Sequence, residues 1–268
     1  MSSHFALSNA IEQAALEFRI SARYGKTEVL HDVEGCIQPA EIVALVGLSG
    51  SGKSTLALSL LRLLHYRGGH VTGSIRIAGR EVNGLTEREL RTIRGKLIGY
   101  VPQSPASALN DRLRVRTLLA EAWHAHVTES VPGDYFAHLL ENVQLPGDPT
   151  FLERRAGELS AGQGQRLLIA LAIMHKPAVV LADEPTSALD VITQAAVLRL
   201  FADLNRTSGI AMLFISHDLL SVASIAHRVE ILHEGHIVES GPPETIFHSP
   251  KHAFTQELVK AIPRGLSL

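Results

Sequence analysis

Gly47-Leu48-Ser49-Gly50-Ser51-Gly52-Lys53-Ser54 decides the reading of this chain. The stretch fits G-x-x-x-x-G-K-[ST], a loop that wraps phosphate groups. Glycines let successive backbone N–H groups turn inward toward phosphate oxygens, and the start of a helix adds positive potential. A lysine in this place reaches the β- and γ-phosphates, and the next hydroxyl ligates Mg2+. The expected nucleotide contacts are therefore Gly47, Ser49, Gly50, Ser51, Gly52, Lys53, Ser54 and Thr55.

The flanks fit the loop. Ile42-Val43-Ala44-Leu45-Val46 is a short β-branched and aliphatic run, which reads as a buried parallel strand. Ser54 to Leu64 reads as a helix with Leu56, Leu60, Leu63 and Leu64 on one face. Further out, Gly73 to Gly79 alternates between glycines and reads as an antiparallel strand, and Ile98 to Val101 is a strand stopped by Pro102. From Ala106 to Glu158 strand signals vanish, leucines recur at helical spacing, and Pro132-Gly133 and Pro146-Gly147 break the run. Strands return at Ala178 to Ala182 and Ile210 to Ile215. Between them Val197, Leu200, Phe201 and Leu204 line one helix face that Gly209 ends. Arg228 to Leu232 and His236 to Glu239 flank Glu234-Gly235 as a hairpin, and Pro242 to Pro263 reads as a polar helical tail. Strands alternating with helices give an α/β fold with a largely parallel sheet.

Composition narrows the function classes. Hydrophobic residues make up 46% of the 268, charged residues 19% and aromatics 5%, a core-forming balance that excludes intrinsic disorder. Lys plus Arg number 25 against 27 Asp plus Glu, so the broad basic surface expected of a nucleic-acid binder is missing. Cys36 is the one cysteine, which rules out an internal disulfide or a cysteine-bound iron–sulfur cluster and fits a reducing compartment. The longest apolar run, Leu167 to Met174, is too short for a membrane span, and Glu12 and Glu17 interrupt any secretory leader.

A second cluster completes the chemistry. Val179-Val180-Leu181-Ala182-Asp183-Glu184 is an apolar strand ending in two acids. A carboxylate there can hold Mg2+, and its neighbour can polarise an attacking water. With this pair in place the chain resembles the ATP-binding cassette (ABC) ATPases. Leu159-Ser160-Ala161-Gly162-Gln163 is similar to their signature motif, and Asp183 to Asp190 resembles their acidic strand end running into the D-loop of Ser187, Ala188, Leu189 and Asp190. Gln103 matches the Q-loop glutamine, His217 the switch histidine, and Tyr24 the aromatic that stacks on adenine. The resemblance runs from about residue 14 to 263.

What the resemblance implies is specific. The fold is a RecA-like P-loop NTPase core with a mostly parallel sheet, an N-terminal antiparallel β subdomain and an inserted helical subdomain. In one 1–268 domain, 1–103 and 159–240 form the core with its β subdomain, 104–158 the helical subdomain and 241–268 a helical tail. Two cassettes meet head to tail, so Ser160, Ala161, Gly162 and Gln163 serve the partner's ATP. Glu184 is the catalytic base, His217 holds the γ-phosphate, and Ser54, Gln103 and Asp183 serve Mg2+. Three positions depart from the family pattern: Ala161 and Ala40 stand where glycine is usual, and Gly164 where a larger residue is common. If position 161 needs a positive φ, alanine costs on the order of 1 kcal/mol.

Gln103-Ser104-Pro105-Ala106-Ser107-Ala108-Leu109-Asn110 resembles the ATPases of oligopeptide, dipeptide and nickel importers. So do Ala182 to Val191 with Gln194-Ala195, and the tail His248 to Thr255 with Ala261-Ile262-Pro263. The implied assembly has a second ABC ATPase, two transmembrane permeases and, indirectly, an extracytoplasmic solute-binding protein. It places this chain on the cytoplasmic face of the inner membrane, with ATP and Mg2+ as ligands and no nucleic acid. Two alternatives stay open: a soluble ABC ATPase acting on nucleic acid or the ribosome, and an inactive regulatory cassette. A single P-loop, the short stretch between it and the signature, and intact Glu184 and His217 weigh against both. The histidines, including His124, His126, His233, His236, His248 and His252, read as solvated surface residues, and Arg88, Arg91, Arg94 and Lys96 as a solvated helix face.

Overall fold

The computed structural model describes residues 13–262; the ends, with Glu12 and Pro263, lie outside them. Along the chain come β1 (Leu16–Tyr24), β2 (Thr27–Ile37), β3 (Ile42–Val46), α1 (Lys53–Leu60), β4 (Gly69–Ile77), β5 (Arg80–Glu81), α2 (Glu87–Ile93) and β6 (Ile98–Val101). Four helices follow without a strand: α3 (Pro105–Ala108), α4 (Val115–His124), α5 (Tyr135–Asn142) and α6 (Pro149–Glu153). The chain then runs through α7 (Ala161–Ile173), β7 (Val179–Asp183), α8 (Val191–Ser208), β8 (Ala211–Ser216), α9 (Leu219–Ala223), β9 (Arg228–His233) and β10 (His236–Gly241). It ends in α10 (Pro243–His248) and α11 (Ala253–Lys260).

Two sheets result. One is antiparallel, in the order β2-β1-β4-β5; the other has the order β10-β9-β3-β8-β7-β6 and is parallel except at β10. The parallel strands are apolar throughout because both faces are covered. Side chains alternate across a strand, so each strand feeds two cores. Ile42, Ala44 and Val46 of β3, Val180 and Ala182 of β7, and Met212 and Phe214 of β8 face the core built with α7 and α8. Val43, Leu45, Val179, Leu181, Leu213 and Ile215 face the other, shared with α1 and the antiparallel sheet. This is the P-loop NTPase arrangement. The strand carrying the acids, β7, lies one strand away from β3, with β8 between them.

Several readings are corrected. Local patterning assigned no strand before Ile42, whereas the resemblance implied an antiparallel β subdomain there; β1 and β2 form its hairpin, in which inward Leu16, Phe18, Ile20 and Ala22 alternate with more exposed residues. Helix α1 stops at Leu60, so Leu63 and Leu64 are not on it. Arg62 has φ +56, and the Arg94 guanidinium caps the carbonyls of Leu61 and Arg62 at 2.8 and 3.0 Å. Arg94 also pairs with Glu87 at 2.7 Å, so it is a half-buried brace and no part of a solvated stripe. Gly73 does not bound a strand. It sits inside β4 opposite Ile20 with φ +103, where a Cβ would lie 2.0 Å from the Arg19 carbonyl oxygen.

The tail is amphipathic rather than polar, because Ile246 and Phe254 join the core beside β9. His233 stacks on Phe254 at 3.8 Å and His126 packs edge-on against His175 at 4.9 Å, so these histidines are packing residues. Burial and the neighbouring His175 and Lys96 hold the His126 imidazole below its ordinary pKa. Ala40 adopts φ +59, a conformation that costs an L-residue on the order of 1 kcal/mol. Asn205 secures that turn by donating to the Ala40 carbonyl at 3.0 Å and to the Ile210 carbonyl at 2.9 Å.

Candidate active site

The site lies at the C-terminal ends of β3, β6, β7 and β8, where loops leave a parallel sheet together. After β3 the chain turns through the glycine loop. The Ser51 N–H donates to the Leu48 carbonyl at 3.2 Å, Gly50 and Gly52 have φ +84 and +109, and α1 starts at Lys53. Gly47 admits no side chain, since a Cβ there would meet the Leu232 carbonyl oxygen at 2.3 Å. Gly52, the N-cap of α1, gives it no side-chain cap. The Ser51 hydroxyl is buried and has no hydrogen-bond partner among the described residues. A buried polar group without a partner is costly, and a phosphate oxygen at the helix start would satisfy it.

Lys53 is 6% exposed, and its ammonium donates to the carbonyls of Gly47 and Leu48 at 2.8 and 2.9 Å. Burial lowers its pKa, while Glu184 and Asp183 act in the opposite sense. Ser54 is exposed and Thr55 half-buried on the first turn of α1. Tyr24 ends β1 opposite Thr27, half-buried, with its ring edge beside Gly69.

Glu184 follows β7 and is gripped from two sides. Gln103, just beyond β6, donates from Nε2 to Glu184 Oε2 at 3.1 Å and to the Ser187 hydroxyl at 3.1 Å. His217, just beyond β8, brings Nδ1 within 3.2 Å of Glu184 Oε1. Glu184 has φ +45, a strained conformation for a glutamate, held by its N–H donating to the Ile215 carbonyl at 2.9 Å. The structure thus joins residues 103, 184 and 217. Asp183, largely buried, has its carboxyl pKa raised by that burial and by Glu184. The Tyr100 hydroxyl donates to Asp183 Oδ2 at 3.3 Å. Tyr100, with its own pKa pushed up by burial, was not singled out in the sequence; the available signal was one phenol in an apolar strand beside the acidic one.

A second helix start lies apart from the loop. Ser160 caps α7 in a reciprocal box: its hydroxyl accepts from the Gln163 N–H at 3.2 Å, and Gln163 Oε1 accepts from the Ser160 N–H at 3.1 Å. Ala161 is helical with no positive φ, so alanine carries no conformational cost there. Gly162 faces Thr193, whose methyl would lie 2.6 Å from an added Cβ. Gly164 lets α3 approach, since a Cβ there would come within 2.9 Å of Pro105. Gln165, buried and not anticipated, reaches the Pro102 carbonyl next to Gln103 at 3.4 Å. In the D-loop, Asp190 caps α8 by accepting from the N–H groups of Ile192 and Thr193 at 3.1 and 3.0 Å, while Ala188 and Leu189 line the hollow beside Ser160. Among the described residues no group of three or more His, Cys, Asp or Glu is arranged to hold a metal by itself.

Residues 30–187 match the ABC transporter family. The chain belongs to that family. It is 41% identical over 245 residues to the peptidoglycan transport ATP-binding protein YejF of Agrobacterium fabrum, covering 90% of this chain and 45% of that one. With the oligopeptide transport ATP-binding protein OppD of Lactococcus lactis subsp. cremoris it shares 35% over 254 residues, covering 94% of this chain and 75% of that one. A dimeric ATP-binding cassette in a post-hydrolysis state, bound to ADP and Pi, superposes with a TM-score of 0.72 at 26% identity. That match covers 85% of this chain and 98% of the other. This ABC cassette is an ATPase with the P-loop NTPase fold.

Proposed function

We propose that this cassette hydrolyses ATP at a composite site shared with a second cassette, and so energises a membrane importer of peptide-bearing solutes. The two-sided hold on Glu184 by Gln103 and His217 carries the catalytic part. Glu184 is the base that takes a proton from water as its oxygen attacks the γ-phosphorus; ADP leaves, and the product is phosphate. Lys53 and the N–H groups of residues 47–55 neutralise and orient the phosphates. His217 turns to the γ-phosphate and Tyr24 stacks on adenine.

Ser54, Asp183 and the Gln103 carbonyl oxygen would hold Mg2+. All three are hard oxygen donors, and Gln103 turns its nitrogen to Glu184 and Ser187, with no hydrogen bond to its oxygen among the described residues. When bound, that ion neutralises charge on the β- and γ-phosphates. Ser160, Ala161 and Gly162 present the start of α7 to the partner's nucleotide, beside the D-loop residues Ser187 to Asp190. No helix among the described residues is long and apolar enough to cross a membrane. The cassette docks on two permeases from the cytoplasmic side through α3 to α6.

Peptide-bearing solutes are favoured because both relatives' names point to them, and the Gln103 to Asn110 segment resembles the same group. The test is Glu184→Gln. Nucleotide affinity should persist while turnover falls about 10²- to 10⁴-fold, the usual worth of a positioned base. Near-normal turnover would remove Glu184 from the role.

A further inference from the structure

We infer that Gln194 is a positioning residue that ties the loop carrying His217 to the D-loop end of α8. Gln194 lies one turn into α8, its N–H donating to the Asp190 carbonyl at 2.8 Å. Its side-chain nitrogen leaves the helix and donates to Asp218 Oδ2 at 3.3 Å and to the Ser221 hydroxyl at 3.0 Å. Asp218 is the residue after His217 and the cap of α9, where its Oδ1 accepts from the Ser221 N–H at 3.2 Å. The Asp218 N–H donates to the Ser216 hydroxyl at 3.0 Å, so both neighbours of His217 are fixed. The ring of His217 is itself 58% exposed, and its one close polar partner among the described residues is Glu184. Its direction is therefore set by the backbone of residues 216–218: Ser216 is held in the sheet opposite Val46 of β3, and on the far side of His217 the Gln194 side chain fastens Asp218 to α8.

The first two residues of the same helix face outward. Val191 and Ile192 are 81% and 84% exposed, next to the capping Asp190. Between the two elements lies a polar cavity of about 120 Å³, lined by Glu184, Ser187, Gln194, Ser216, His217 and Asp218. It offers room for a few waters beside the carboxylate, so the Gln194 link also sets the shape of a hydrated hollow at the reacting end.

This inference rests on the role given to His217 above, and the test separates the two. Gln194→Leu keeps the side-chain bulk and removes both hydrogen bonds. Gln194→Glu presents a carboxylate to the Asp218 carboxylate. Asp218→Asn combined with Gln194→Glu restores an amide-to-carboxylate bond with the donor on the other side, and asparagine still caps a helix. In the full chain, Gln194→Leu should lower kcat about tenfold with KM for ATP changed less than about twofold, a coupling of ordinary size for neighbouring residues. The His217 ring resonances, assigned by their loss in His217→Ala, should shift in both single variants. The double variant should return kcat and resonances toward the parent.

Thermal melting accompanies each measurement. The inference is overturned if the His217 resonances stay in place in Gln194→Leu. It is also overturned if kcat stays within about twofold, or if the double variant is no better than Gln194→Glu at equal melting temperature. Unchanged turnover in His217→Ala would remove the role of His217 itself, and the resonance shift would still decide the Gln194 link.

Discussion

The two helix starts proposed to meet nucleotide in this cassette are built differently. At α1 the cap is Gly52, which gives no side chain, and the Ser51 hydroxyl beside it is buried without a partner among the described residues. At α7 the cap is Ser160, closed in a complete box with Gln163. A helix start has four free N–H groups and a partial positive charge. The first start leaves them open and surrounds them with further donors, which suits a whole polyphosphate. The second satisfies one with its own serine, keeping the N–H groups of Ala161 and Gly162 for outside use. The glutamine of the signature motif is thus explained in part by helix chemistry: it caps a helix that has to keep its shape before any partner arrives. That difference is what the proposed division of labour needs, one site binding by itself and the other completing a partner's.

Breaking the open start should have the largest effect. Lys53→Ala removes the one ammonium of the loop, so Mg-ATP affinity should fall by at least about a hundredfold in titration calorimetry, the scale of two lost charge-assisted hydrogen bonds. Ser160→Ala breaks the capped start and should cost about 1 kcal/mol of stability, read as a lower melting temperature, with nucleotide affinity of the single chain unchanged. Asp183→Asn should give a smaller effect of opposite sign. Burial raises the Asp183 pKa above 3.8, so the folded chain holds that proton more tightly than the unfolded one. The group's favourable contribution is therefore present below pH 3.8 and lost as pH rises through the raised value. Measured without nucleotide near neutral pH, Asp183→Asn should melt slightly higher than the parent, and the difference should shrink on acidification. A variant less stable at neutral pH than at acid pH, relative to the parent, would contradict this.

The same contrast explains what could be read in advance. The glycine loop was legible because it is contiguous and its conformation is dictated by residue type. Glu184 was legible because it closes an apolar strand, and Gln103 and His217 because they match family motifs; the sheet explains why they meet, since parallel strands deliver their C-terminal ends to one edge. The Arg94 brace on Leu61 and Arg62, the Tyr100 hydroxyl on Asp183 and the Gln165 contact with Pro102 were not legible. Each depends on where one side chain ends across a tertiary contact, and no local pattern encodes that. In β1 the signal was present, since Leu16, Phe18, Ile20 and Ala22 alternate with polar residues over nine residues, although only the family resemblance supplied this subdomain in advance. Gly73 was misplaced because a glycine needed for close approach inside a strand looks the same in sequence as one that ends a strand.

The central claim is that the start of α7 serves a nucleotide held by another cassette. Ala161→Glu tests it most directly. The position is exposed, and an acid in the first turn of a helix is tolerated or favoured, so the fold should be unharmed. The carboxylate would stand where the partner's γ-phosphate has to approach. Titration calorimetry of the isolated chain should give an ATP affinity within about twofold of the parent, while turnover falls about 10²-fold or more, the scale of losing a preorganised charge-stabilising group. ATP affinity reduced in the isolated chain as strongly as in Lys53→Ala, or turnover retained, would contradict the account.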